Sequence, residues 1–166
     1  MTNACNALRR VFISGINKVL EDIINLPDDD VSLILDDNTE DEDCMSIRAI
    51  LSHILFSTRR HLNYILSYTN NEQFKISKYL YSNVKSYFDE FEKLKEQVTF
   101  TLNLLTDDML EQNDTGKKII TDWYQSYDIE QLLEHSIVHC FRHHIQIQKF
   151  IEILRLRQTS SFNNNI

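Results

Sequence analysis

The chain of 166 residues contains two glycines and one proline. A β protein draws on both residues for its tight turns, so their scarcity disfavours sheet architectures and predicts long helices. There is no run of about 18 apolar residues, the length a membrane-crossing helix needs. The first residues, MTNACNALRRVF, lack the continuous apolar stretch of a secretory signal. Basic charge is in deficit: 17 Lys and Arg stand against 25 Asp and Glu, a formal net charge of -8. That balance disfavours non-specific binding to nucleic acid or to an anionic membrane, and no aromatic-and-basic stretch offsets it. Cys5, Cys44 and Cys140 are odd in number and lack paired spacing. Neither a disulfide framework nor a cysteine zinc knot is predicted. The expectation is a soluble, cytoplasmic protein with reduced thiols.

What remains is a chain 42% hydrophobic, long enough for one buried core. Apolar residues at helical spacing predict a first helix over about 2–25, stopped by Pro27 and the aspartates behind it. Residues 27–43 form an acidic connection with an apolar island at Val31–Leu35. It shares only charge with a calcium-binding loop, because the glycine and the ordered ligand positions are missing. A second helix starts between Thr39 and Ser46, with Asp43 and Ser46 both suited to cap it, and runs to about Tyr68. The third shows the cleanest period in the chain, from Ile76 through Leu80, Val84, Tyr87, Phe91 and Leu94 to Leu105. After a second long connection over 106–127, Asp128 caps the fourth helix, with Gln131 as its capping-box partner. The reading is an all-α four-helix bundle in one domain over 1–157, with a frayed tail over 158–166.

The fourth helix holds four of the six histidines: His135, His139, His143 and His144. Residues four apart share one face of a helix, and His139 and His143 fall on the stripe of Leu132, Ile147, Phe150 and Leu154. An unpartnered buried imidazole costs about 1–3 kcal/mol, so a buried pair one turn apart calls for a common cause. One divalent ion reached by both is such a cause. Core histidines bonded to carbonyls or water are the other, and spacing alone leaves the two open. On the second helix, His53 and His61 read by themselves as boundary histidines. Cys140 reads as a buried inert thiol, Trp123 as a packing anchor or a pocket wall, and His144 as a residue of the bundle edge.

Two segments, SIRAILSHIL over 46–55 and YDIEQLLEHSIVHCFRHHIQIQKF over 127–150, resemble the DinB/YfiT-like family of metalloenzymes. The resemblance implies that His53, His139 and His143 are metal ligands, followed by Gln146 in the position of a family glutamine. Where the family often has Arg-Gly between the last histidine and that glutamine, this chain has His144-Ile145. His135, one turn before His139, either orients the site or faces a helix neighbour.

Three neutral imidazoles on a divalent ion leave a coordination position for water or substrate, as catalytic rather than structural zinc sites do. Zinc is the first expectation and nickel the second, since imidazole suits both. The resemblance implies a thiol-dependent S-transferase or isomerase that uses a low-molecular-weight thiol, and a homodimer. For the latter, Tyr79, Tyr81, Phe88 and Phe100 lie off the main seam as contact residues. A metal-dependent hydrolase and a non-enzymatic interaction module with a structural or vestigial metal site are the alternative readings.

Overall fold

The computed structural model describes residues 3–163. Its elements are α1 (Ala4–Ile23), a short α2 (Asp28–Ser32), α3 (Ile47–Tyr68), α4 (Val84–Asn103), a two-stranded hairpin of β1 (Ile119–Ile120) and β2 (Ser126–Tyr127), and α5 (Ile129–Asn163). The class is all-α, as composition implied. Helix α1 packs against α4 and α5, and α3 packs against the same two from the other side. The apolar stripes of all four meet in one core, with Phe12, Ile16, Ile54, Leu62, Phe91 and Leu132 excluded from water.

The helix ends follow from capping side chains. Asn3 accepts from Asn6 N–H at 2.9 Å at the start of α1, and Asp107 takes the next two free amides, those of Ala4 and Cys5. Ser46, rather than Asp43, caps α3 by accepting from Ala49 N–H at 3.1 Å. The capping box of α5 forms as read: Gln131 N–H reaches Asp128 Oδ1 at 2.8 Å, and Asp128 N–H reaches Gln131 Oε1 at 3.1 Å. Gly15 marks a close helix crossing, because a Cβ there would stand 3.3 Å from the Phe141 ring of α5.

Three expectations need correction. The third helix does not begin at Ile76: residues 71–81 are not helical, and α4 starts at Val84 behind the Asn83 cap. Side chains of α3 claim the backbone that a longer helix would use. Asn63 bonds both the N–H and the C=O of Phe74 at 2.8 Å, and Ser52 donates to the Tyr79 carbonyl. Tyr87, fully buried on α4, accepts from Tyr81 N–H at 3.1 Å. Leu80, counted as a seam residue, is therefore exposed. The last helix also does not fade after Arg157 but continues to Asn163; residues 164–166 of the expected tail lie outside the described residues. Within the acidic connection, residues 28–32 are helical, and the apolar island divides. Val31 and Leu35 pack on the core, whereas Leu33 and Ile34 face outward.

Candidate metal centre

Helices α3 and α5 pack side by side, and that contact brings His53 to His139 and His143. Nε2 of His139 stands 2.9 Å from Nε2 of His53 and 3.1 Å from Nε2 of His143. Their potential ligand atoms all lie within 4.8 Å of one another, and no other metal-ligating side chain joins the group among the described residues. His143 is buried, while His53 and His139 are half-buried and so give the cluster an edge toward solvent.

The outward nitrogens decide the tautomers. His53 Nδ1 is 2.9 Å from Asp43 Oδ2, and a carboxylate can only accept, so that nitrogen carries the proton. Burial opposes the charge of Asp43, but its bonds from Lys78 and His53 prevail and lower its pKa below the ordinary carboxylate value. His143 Nδ1 is likewise 3.1 Å from Gln146 Oε1 and donates to it. Both Nε2 atoms therefore present lone pairs to His139, whose own Nε2 holds at most one proton. At least one of the two close N···N approaches has no hydrogen between its atoms.

Added protons do not resolve the conflict. Burial first, then His143 and His53, pushes His139 down to about 3. Burial first, then His53, pushes His143 down to about 4, against the opposing bond to Gln146. Both rings are therefore neutral at physiological pH. A cation would resolve the conflict: ligands about 2.0–2.1 Å from a tetrahedral ion sit roughly 3.3 Å apart, close to the two separations of 2.9 and 3.1 Å. The donor set fits a borderline-soft divalent ion, and outward partners on two of the three imidazoles are what metal-ligating histidines ordinarily have.

The remaining histidines stand apart from this convergence. His61, read as a boundary residue, is buried with Nδ1 3.1 Å from Ser136 Oγ, its ring edge-on to Trp123 and His135. Burial, then the neighbouring His135, takes it down to about 3. His135 is exposed; its ring lies nearly parallel to that of His139, and it makes a long hydrogen bond with the Tyr127 hydroxyl at 3.4 Å. His144 is buried against α1, with Nε2 2.9 Å from Asp22 Oδ2. Cys140 is buried, and its thiol is pushed up to about 12. Trp123 is a packing anchor: it meets Tyr64 and His61 edge-on, and Arg60 lies 5.2 Å over its ring.

Sequence reasoning missed the contribution of Asp43, which it took for a helix cap, and of Lys78, which bonds the other oxygen of that carboxylate. No local pattern joins residues 43, 53 and 78. Of the proposed contact aromatics, Tyr79 and Phe100 are exposed, while Tyr81 and Phe88 pack onto the core. No helix among the described residues is long and apolar enough to cross a membrane. Comparison with family models, with curated proteins and with solved structures finds no match.

Proposed function

We propose that this chain is a four-helix bundle of the DinB/YfiT-like type that binds one divalent metal ion, zinc first and nickel second, through His53, His139 and His143. The observation that carries the reading is the convergence of three Nε2 atoms short of protons. Three protein ligands rather than four support a catalytic role over a purely structural one. When bound, such an ion supplies Lewis acidity, which lowers the pKa of a thiol or water toward neutrality and polarises an electrophile. The chain's own residues hold and orient it: Asp43 and Gln146 fix two imidazoles, and the half-buried rings of His53 and His139 leave one side open to a substrate. On the resemblance, the reaction is a thiol-dependent transfer or isomerisation with a low-molecular-weight thiol as co-substrate.

The test is metal analysis of tag-free protein after dialysis against a metal buffer. One equivalent in the wild type, lost in His139→Ala and in His143→Ala but kept in His144→Gln, supports the site. Equal metal in wild type and His143→Ala refutes it. Metal-dependent consumption of a small thiol with an electrophile separates the transferase from the hydrolase and from an interaction module.

A further inference from the structure

We infer that Asp43 is a positioning residue of the three-histidine centre, setting its metal affinity through His53, and that Lys78 restrains it. The inference rests on the metal reading above. Asp43 is brought to the site by the 3-10 turn over Glu42–Cys44, which packs against α3. One carboxylate oxygen accepts from His53 Nδ1 at 2.9 Å, and the other accepts from the Lys78 ammonium. The carboxylate is three-quarters buried, so solvent screens it only in part.

The two outward partners of the cluster differ in charge. His143 leans on the neutral carboxamide of Gln146, whereas His53 leans on an anion. A carboxylate behind an imidazole fixes the ring, holds the proton on Nδ1 and makes Nε2 a stronger electron donor. It also offsets the charge that three neutral ligands leave on a divalent ion. Lys78, on the irregular segment between α3 and α4, draws on the same carboxylate and weakens that effect. Asp43 and Lys78 should therefore act on metal affinity with opposite signs. A carboxylate that only latched the acidic connection to this segment would behave differently: losing either partner would break the latch, and both changes would weaken binding alike.

The experiment measures zinc affinity by competition with a chromophoric chelator, and the visible spectrum of the cobalt-substituted protein, for wild type, Asp43→Asn, Lys78→Gln and His143→Ala. Asp43→Asn is expected to lose about 10- to 100-fold in affinity and to shift the cobalt bands. Lys78→Gln is expected to bind more tightly than wild type, and unchanged affinity would overturn the role given to Lys78. Wild-type affinity and spectrum in Asp43→Asn, or equal weakening in Asp43→Asn and Lys78→Gln, would overturn the inference while leaving the site intact. Unfolding of metal-free Asp43→Asn, seen by circular dichroism, would assign the carboxylate a structural role and overturn it too. Equal zinc binding, or none, in wild type and His143→Ala would overturn the metal reading and this inference with it.

Discussion

His53 on α3 and His139 on α5 meet Nε2 to Nε2 at 2.9 Å, across the packed contact of two long helices. An ion bound there joins the two helices, and only in the folded chain. Free metal at 100 times its Kd should add about 2.7 kcal/mol of stability. For a chain of this length that is a rise in Tm of roughly 5–10 °C. Thermal unfolding with zinc, nickel and magnesium checks this. Zinc and nickel are expected to raise Tm and magnesium, which prefers oxygen ligands, to leave it unchanged. An equal rise with magnesium would speak against an imidazole site.

The same contact should be a burden when metal is removed. Replacing His139 by Leu removes the central ring of the lone-pair conflict and fills the space with apolar atoms. In chelator, His139→Leu should unfold at the same or higher denaturant concentration, by up to about 1 kcal/mol. It should lose the zinc-induced rise in Tm altogether. Strong destabilisation of the metal-free variant would mean that the histidines already satisfy one another without an ion.

How much of this was legible in the chain depends on how local each feature is. The capping box of Asp128 and Gln131 spans one turn, and the pairing of His139 with His143 spans another, so spacing alone exposes both. His53 lies 86 residues from His139, and only the resemblance singled it out. Asp43 and Lys78 reach the site from irregular segments, where no period constrains which side chain faces inward. The error over residues 76–83 has a related cause. The spacing of Ile76, Leu80 and Val84 suits a helix, but Asn63, Ser52 and Tyr87 offer that backbone or its neighbours partners that periodicity cannot reveal.

The hairpin that carries Trp123 contains a strained residue. Tyr124 has φ 62°, a left-handed conformation that costs a side-chain-bearing residue about 1–2 kcal/mol, and its ring is 93% exposed. Tyr124→Gly relieves the strain and forfeits almost no packing, although glycine adds unfolded-state entropy of about 0.5–1 kcal/mol. A net gain of about 0.5 kcal/mol in urea unfolding is expected. Clear destabilisation would mean that the exposed ring holds the turn.

Acid should weaken the metal-free protein well before its carboxylates titrate. Burial takes His61 and His139 down to about 3 and His143 down to about 4, whereas an unfolded histidine titrates near 6.5. Because the folded pKa is the lower one, the unfolded chain takes up protons first as pH falls. Between those values the unfolded state binds more protons than the folded one, so the slope of stability against pH is positive. The contribution of these neutral imidazoles is therefore complete above about pH 6.5 and is lost progressively below it. Asp43 and Glu90, whose pKa values are lowered, act with the same sign, but only once pH approaches the ordinary carboxylate range. Glu130, raised by burial and by Glu134, acts with the opposite sign, so urea unfolding in chelator at pH 7.5 and 5.5 reads the histidines through their difference from the His139→Leu variant. The midpoint is expected to fall at pH 5.5, and to fall less in a His139→Leu variant, which has one buried imidazole fewer. A midpoint that rises on acidification would mean that the buried imidazoles are held protonated, and the case for a cation among them would fail.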